Sequence, residues 1–436
     1  MAAIFKAGTH NKLLHATQYL KGLFQGQKRN MERMVERVVD SDYYQIQHFI
    51  SESPWDSRAG FDKVASDTSK LFESFDQVGL LIDESAHRKK GKDSVGVGRQ
   101  YCGTIGKVDN CQVAVYGALS VEKYYGLIDT ALYLPQDWTS DEPRCRKAGI
   151  PSLPKGTKRI CKSKVELALD IIRHQKELGT RFDFVGADGL YGNSYHFQKE
   201  LEKLALLFVV DVHDDQYVYT EPPVIAIPEK TNVVGRKPSR YKATGDAIEV
   251  RELGKDIGDE QWEKICLRQT GKGDLNCLGY VKKVYLWDGG SAGYMERKLV
   301  VRVIENQHGS REYKYAISNA EDGQYTTEAL VRMQSQRYFV ERSFQDAKQE
   351  AGMSQYQVRG WLAWHHHMVL VMMALHFVLS EKMLLKDTLP LLSAYDVREV
   401  LLNIYPKKAT TQQEIMDQIH KRHQQRRIQN NKKNST

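Results

Sequence analysis

The chain has 436 residues, which is enough for two or three domains with a sizeable hydrophobic core. Its 63 basic and 55 acidic residues give a formal net charge of +8, a mildly basic balance that permits a polyanionic partner without requiring one. The six cysteines show no CxxC spacing, which argues against a zinc finger or a disulfide scaffold and indicates a reduced, cytosolic protein without a signal peptide.

The first segment, residues 1–75, is predicted to be helical because its apolar residues recur at helical spacing. Basic residues crowd positions 22–37. We therefore expect a small N-terminal helical domain. Two roles stay open for it, contact with DNA phosphates or an amphipathic cap on the rest of the fold.

From residue 76 to residue 212 the pattern changes to buried strands alternating with helices. The runs "VGLLID" (78–83) and "FDFVGAD" (182–188) are apolar and each ends in an acid. Further strands are predicted at 111–119, 124–135 and 205–212, and helices at 164–178 and after Asn193, a candidate N-cap. This order predicts an α/β fold with a mixed sheet covered by helices.

The remaining chain divides into three parts. Residues 213–312 contain scattered Gly and Pro and alternating stretches, which predict a β-rich insertion. Residues 313–390 return to helical spacing and include an apolar run, 368–379, that is too short to span a bilayer and is predicted to be a buried core helix. Residues 391–436 are predicted to form a C-terminal helical region with a capping box and a basic tail, which is either a flexible arm or a frayed end.

The stretch "RYFVERSFQDAK" (337–348) is predicted to be a helix on which Arg337, Glu341 and Lys348 form one narrow stripe. The stripe borders the apolar face, whereas a solvated helix usually places its charges opposite that face. The alternative is that Arg337 and Glu341 are an ordinary surface pair, which contributes a few tenths of a kcal/mol.

Asp83 and Asp188 each end a predicted buried strand, where side chains line the edge of a sheet at which α/β folds bind ligands. Either acid alone could be a turn residue or a helix cap. Together with Glu341 they form a candidate three-carboxylate site for hard divalent cations such as Mg²⁺. Two such ions support phosphoryl transfer, and Arg337 and Lys348 are then expected to face the phosphate.

These motifs resemble the DDE transposases of bacterial insertion sequences. The resemblance runs from about Leu14 to about Leu402 and rests on "LLIDESAHRKKGKDSVGVGRQYCGTIGKVDNCQVAVYGAL", "ALYLPQDWTSDEPRCRKAGIP", "ADGLYGN" and "RYFVERSFQDAKQEAGMSQYQVRGW". Its most specific feature is the combination of an acid-ended strand, D-x-x-Y-G after the second acid, and R-x₃-E-x₆-K on the late helix.

The resemblance implies a ribonuclease-H-like fold with a β-rich insertion between the second Asp and the Glu. It implies that Asp83, Asp188 and Glu341 are a catalytic triad that binds two Mg²⁺ ions, with Mn²⁺ able to substitute. It also implies that Arg337 and Lys348 bind the terminal DNA phosphate.

Two positions depart from the family pattern. The family has a Tyr three residues before the Arg, and this chain has Gln334 there. The insertion-domain Trp that stacks on a flipped base in hairpin-forming relatives corresponds to Tyr315, which is a base-stacking candidate. The alternative for Tyr315 is a strand residue in the core.

The function implied by the resemblance is Mg²⁺-dependent cut-and-paste transposition. We expect the partners to be double-stranded DNA, as terminal inverted repeats and target DNA, and a second copy of the chain in a synaptic homodimer, with no membrane. The expected location is the bacterial cytoplasm at the nucleoid. Two alternatives remain: a nuclease without strand transfer, and a DNA-binding regulator derived from a transposase.

Three nearby signals are not assigned to the site. Consecutive histidines in "WHHH" (364–367) point in different directions on a helix, so they are not expected to bind a metal. Strand alternation is expected to turn Glu84 and Asp183 away from the proposed acids.

Overall fold

The N-terminal part of the chain is helical, as predicted. The structure, a computed structural model, describes residues 3–7, 10–26, 28–229, 236–271, 273–305 and 310–434. Asp42 and Asp56 start two of the helices by each accepting two backbone N–H groups. The elements are β1 (Lys6–Ala7), β2 (His10–Asn11), α1 (Leu13–Gln25), α2 (Met31–Val35), α3 (Tyr43–Ser51) and α4 (Ser57–Leu71).

The next part of the chain forms a mixed sheet with helices in its connections. Its elements are β3 (Gly79–Arg88), β4 (Gly98–Cys102), β5 (Lys107–Val121), β6 (Tyr124–Leu132), α5 (Gln136–Thr139), α6 (Glu142–Lys147), α7 (Lys164–Glu177), β7 (Phe184–Ala187), α8 (Gly189–Gly192), α9 (Tyr195–Lys203) and β8 (Phe208–Val212). The predicted mixed sheet covered by helices is confirmed. The N-cap of α9 is Ser194, not Asn193, whose amide donates to Gln216.

The strand order of this part is β6–β5–β3–β7–β8. Strands β3, β5 and β6 are antiparallel neighbours in the sheet, and β4 pairs with the first third of β5. Strand β7 is parallel to β3, and β8 is parallel to β7. Helices α7 and α12 pack on this sheet, so its central strands are almost entirely buried.

Most of the strands in residues 217–318 belong to the same sheet. The elements are β9 (Tyr217–Tyr219), β10 (Val224–Ala226), β11 (Lys242–Thr244), β12 (Ala247–Glu249), α10 (Val250–Lys255), β13 (Glu263–Thr270), β14 (Gly273–Leu286), β15 (Met295–Glu305) and β16 (Arg311–Ser318). Strands β9 and β12–β16 extend the sheet through an antiparallel pair of β16 and β8, while β10 and β11 pair with each other in a separate two-stranded sheet. Parts of the predicted insertion, 230–235 and 306–309, lie outside the described residues.

The last part of the chain is helical. Its elements are α11 (Thr327–Gln336), α12 (Tyr338–Gln349), α13 (Trp361–Leu384), α14 (Ala394–Ile404) and α15 (Gln412–Asn434). The predicted capping box starts α15, since Thr411 and Glu414 exchange hydrogen bonds. The basic tail is part of this helix as far as residue 434, and positions 435–436 lie outside the described residues.

Helix α13 is the central helix of the α-helical part. It packs against α1, α3, α4, α14 and strand β6. It has the length and composition of a membrane span, longer than the apolar run alone suggested, but 78% of its most apolar window is buried inside the protein. A helix that is apolar all round belongs in a core, so the prediction of a buried core helix is confirmed.

Candidate active site

Strand register places Asp83 and Asp188 side by side. Ile82 of β3 pairs with Ala187 of β7 in parallel register, and each aspartate is the following residue. Strand β7 ends there, whereas β3 continues to Arg88 because its second half still pairs with β5. The prediction that Asp83 ends its strand is therefore wrong, but both acids lie at the edge where the parallel pairing stops.

The turn after Asp188 explains the D-x-x-Y-G sequence. Oδ1 of Asp188 accepts the backbone N–H of Leu190 at 3.0 Å and caps the short helix α8. A Cβ added to Gly192 would overlap the backbone carbonyl oxygen of Asp211 on β8, and one added to Gly189 would overlap the ring of His213. Two glycines therefore let the turn lie directly on β8.

Burial and neighbouring carboxylates raise the pKa values of both aspartates. Burial is the largest cause that raises the pKa of Asp83, to about 8, and the neighbouring Asp188 raises it further. Burial also raises the pKa of Asp188, with a second contribution from Glu84. Carboxylates held together in this way release their protons more readily when a cation neutralises them.

Arg337 lies at the junction of α11 and α12, so the predicted single helix from 337 starts one residue later. Its guanidinium meets three carboxylates: Nε lies 2.7 Å from Oδ2 of Asp211, Nη2 lies 2.9 Å from Oε1 of Glu341, and Nη1 lies 3.8 Å from Oδ2 of Asp83. Burial lowers the pKa of Arg337, but the surrounding carboxylates outweigh this and raise it above its ordinary value. The arginine is held as a cation among acids.

Helix α12 presents Glu341 and Lys348 as the sequence predicts. The neighbouring apolar arc is buried, comprising Phe339, Val340, Phe344 and Ala347. The side chain of Glu341 is 55% exposed, which leaves its carboxylate accessible from the cleft. Burial lowers the pKa of Lys348, and Cys102 and Asp83 oppose this effect. The stripe therefore stands at the border between core and solvent.

A solvent-open cleft of about 1220 Å³ unites these groups. Its walls include Asp83, Asp188, Glu341 and Lys348, four of the predicted site residues. Among the described residues, no three His, Cys, Asp or Glu side chains converge as a preformed metal cage. In this structure Glu341 is instead paired with Arg337.

Glu84 also lines this cleft, so the prediction that strand alternation turns it away is wrong. Its two carboxylate oxygens accept from Tyr191 Oη at 2.9 Å and from Lys164 Nζ at 2.7 Å. Asp183 does lie elsewhere, since its carboxylate accepts the backbone N–H of Val78 at the start of the strands. The hydrogen bonds from Tyr191 and Lys164 hold the carboxylate of Glu84 at the cleft.

Sequence reasoning missed Asp211 as well. It is the fourth of the five residues in the apolar strand "FVVDV", and a charged residue inside a strand buried on both faces was the available signal. Besides Arg337, it is contacted by Gln334, whose Nε2 donates to Oδ1 at 3.2 Å. Gln334, which replaces the family's Tyr, is thus buried against this carboxylate.

Tyr315 is a core residue in this structure. It is 6% exposed, it stacks on Tyr313 with ring centroids 6.3 Å apart, and it covers Gly254, where an added Cβ would lie 2.8 Å from its ring. Tyr315 therefore occupies the position of a strand residue in the core, which was the alternative to a base-stacking role.

The histidines of "WHHH" serve the core. His366 and His367 are fully buried, and their ring nitrogens contact backbone carbonyls and the hydroxyl of Tyr19. Burial lowers the pKa of His366 to about 4 and of His367 to about 3. They take no part in a metal group within the described residues.

The chain matches the family model described as DDE superfamily endonuclease over residues 4–274. The match covers more than half of the chain, and the chain belongs to this family. The matched residues include Asp83 and Asp188, while Glu341 lies beyond them.

A curated relative from Microchaete diplosiphon is described as a probable transposase for insertion sequence element IS701. It is 31% identical over 213 residues, which are 48% of this chain and 51% of the relative, so the match spans about half of the relative's length. A solved structure described as a piggyBac transposase synaptic complex with hairpin DNA superposes with a TM-score of 0.37 and 10% identity, over 92% of this chain and 72% of that one. That similarity is too low to inform fold or function.

Proposed function

We propose that this chain is a Mg²⁺-dependent DNA transposase that cleaves the terminal inverted repeats of an insertion sequence and joins them to target DNA. One observation carries the proposal: in a chain of the DDE family, Asp83, Asp188, Glu341 and Lys348 line one open cleft. An ordinary surface pair would not explain Arg337 and Glu341, because Arg337 also contacts Asp83 on β3 and Asp211 on β8.

The proposed fold of the catalytic core is ribonuclease-H-like. Three antiparallel neighbours, β6, β5 and β3, and two strands parallel to β3, β7 and β8, in the order β6–β5–β3–β7–β8, support this assignment. We propose that the core comprises residues 76–212 and 313–390, with the insertion at 213–312 between them. Residues 1–75 form a DNA-binding region, and residues 391–436 a C-terminal region.

The donor set fits divalent ions. Asp83, Asp188 and Glu341 offer carboxylate oxygens, which Mg²⁺ and Mn²⁺ prefer, and the raised pKa values of the two aspartates support a cation at this position, because a cation favours their charged forms. Two ions held by these residues would supply charge neutralisation and nucleophile activation in phosphodiester chemistry.

The basic side chains of the site, Lys348 and Arg337, would bind the phosphate of the DNA. Lys348 lies on the wall of the cleft, where its ammonium group would bind the phosphate of a DNA end and hold it above the carboxylates. The Nη groups of Arg337 contact Glu341 and Asp83 and would become available to the same phosphate once those acids bind ions. Both residues act by orienting the substrate and neutralising its charge.

Double-stranded DNA is the proposed partner. The formal charge of +8 permits it, and α15 adds the exposed basic residues Lys421, Arg426 and Arg427. We further propose that a homodimer forms on the paired DNA ends, that Tyr315 makes no base contact, and that the protein acts at the bacterial nucleoid.

Purified protein, labelled end DNA, a target plasmid and Mg²⁺ separate the candidate functions. Joined products support transposition. Cuts without joining would indicate the nuclease alternative, and a mobility shift without cuts would indicate the DNA-binding regulator. Either of these results, with the full-length inverted repeats present, contradicts the proposal.

A further inference from the structure

Asp211 holds the Arg337 guanidinium by one edge. Nε of Arg337 lies 2.7 Å from Oδ2 of Asp211, while the Nη edge faces Glu341 and Asp83 at 2.9 and 3.8 Å. A guanidinium is planar and its N–H donors have fixed directions. Fixing the Nε edge therefore fixes the direction in which the remaining donors point.

Asp211 is itself rigidly placed. It lies inside β8, where it pairs with Ala316 of β16, and its second carboxylate oxygen accepts from Gln334 at 3.2 Å. Gly192, in the turn that follows Asp188, packs directly against the backbone carbonyl of Asp211. Asp211 thus connects the strand edge that carries one aspartate with the helix that carries Glu341.

We propose that Asp211 is a positioning residue that keeps hold of the Nε edge of Arg337 when ions displace its Nη groups from Glu341 and Asp83, and so leaves those Nη groups available to DNA phosphate. This inference rests on the proposed function. Glu341 and Asp83 are partners of Arg337 and also proposed ion ligands, so the arginine competes with the ions for them. Asp211 remains a partner for the arginine when ions take the other two, which avoids a buried unpaired charge.

The test is Mn²⁺ binding without DNA, followed through the electron paramagnetic resonance signal of free Mn²⁺. Asp211→Asn keeps the side chain's size and an oxygen for Gln334 but removes the charge that holds Arg337. We expect Mn²⁺ affinity to fall about tenfold, which corresponds to about 1.4 kcal/mol. In an Arg337→Gln background the same substitution is expected to change affinity less than threefold.

Asp129 supplies a matched control. Its carboxylate accepts from Arg58 and Gln175, both at 2.7 Å, which is the same arginine–aspartate–glutamine arrangement. It lies on β6 and does not line the cleft. Asp129→Asn is expected to lower the unfolding free energy, as Asp211→Asn does, but to bind Mn²⁺ like the wild type.

If folded Asp211→Asn binds Mn²⁺ with wild-type affinity, the inference is overturned. It is also overturned if Asp211→Asn lowers Mn²⁺ affinity equally with and without Arg337, since the loss would then reflect only the removed charge. If Asp211→Asn does not fold, Gln334→Met removes the hydrogen bond that orients Asp211 and is expected to weaken Mn²⁺ binding about threefold; unchanged binding overturns the inference. A wild type that binds no Mn²⁺ overturns the proposed function as well, so the two failures are distinguishable.

Discussion

Asp83 and Asp188 lie side by side because each follows a residue of one parallel register pair, Ile82 and Ala187. Their proximity is therefore a property of the sheet, present before any ion binds. Without a cation, the two carboxyl groups destabilise each other, and burial raises the pKa of Asp83 to about 8 with a further contribution from Asp188.

The first prediction follows from this repulsion. Asp188→Asn should raise the unfolding free energy of the ion-free protein by about 1 kcal/mol at pH 9, since one pKa unit corresponds to about 1.4 kcal/mol. Asn also serves as an N-cap, so α8 keeps its start. Below about pH 8, Asp83 is protonated in the folded protein but releases this proton on unfolding, so the stability of the wild type falls as pH rises toward 8. At pH 6 the protonated Asp83 carries no charge to repel Asp188, so the stability gained by Asp188→Asn is smaller there.

Urea unfolding in EDTA at pH 6 and pH 9 measures this gain. Asp183→Asn is the control, since Asp183 accepts from Val78 at the opposite end of the strands. A gain for Asp188→Asn that is equal at both pH values would show that charge repulsion is not its cause.

The second prediction concerns Gly192. Gly192→Ala should lower the unfolding free energy by about 3 kcal/mol, because the new Cβ overlaps the backbone of Asp211 and only a shift of the turn can relieve the overlap. Gly293→Ala is the control, since nothing lies within 4 Å of a Cβ at that position. Equal urea midpoints for the two variants would contradict the packing described for the turn.

The third prediction concerns acid stability. Met353's carbonyl can only accept, so Nε2 of His367 carries the proton, and Nδ1 accepts from Tyr19 at 2.8 Å. Burial lowers the pKa of this neutral ring to about 3. Its contribution to stability is complete above the unfolded pKa of about 6.5 and is lost as pH falls toward 3.

Wild-type unfolding free energy should therefore decline more steeply between pH 7 and pH 4.5 than that of His367→Gln, by up to about 1.4 kcal/mol per pH unit. The control is His48→Gln, because the side chain of His48 is exposed. Parallel curves for wild type and His367→Gln would contradict a buried neutral histidine.

The fourth prediction separates packing from base stacking at Tyr315. Tyr315→Ala should lower the unfolding free energy by about 3 kcal/mol, because it removes a ring that covers Gly254. Tyr315→Phe should retain both stability and affinity for end DNA. A Tyr315→Ala protein with wild-type stability but weaker DNA binding would show that the ring meets DNA instead of the core.

Periodicity and strand-end acids were sufficient to predict much of this structure from sequence. The rule that parallel strands present their ends at one edge placed Asp83 and Asp188 together, while the stripe on the late helix and the family resemblance added Glu341 and Lys348. The buried helix α13 was predictable from its uniformly apolar surface.

The errors arose where tertiary contacts override local pattern. Strand β3 continues past Asp83 because β5 offers it partners as far as Cys111. Glu84 turns into the cleft because Tyr191 and Lys164 bind it there. Asp211 was missed since nothing in a single strand reveals that an arginine more than a hundred residues later will reach it.

The central claim is that Glu341 belongs to an active site and is not half of a surface pair. Glu328 is a matched control, since it forms a 2.7 Å ion pair with Arg332 one turn along α11. Its side chain is 52% exposed, similar to the 55% of Glu341. Both Glu→Gln variants should fold with wild-type stability within about 0.5 kcal/mol, as exposed helix pairs contribute little.

The decisive measurement is Mg²⁺-dependent cleavage of end DNA by wild type, Glu341→Gln and Glu328→Gln. We expect Glu341→Gln to bind the ends but to cut at least a hundredfold more slowly (about 2.7 kcal/mol), while Glu328→Gln cuts like the wild type. Equal cleavage by all three proteins would contradict the account and would make Glu341 an ordinary surface residue of its helix.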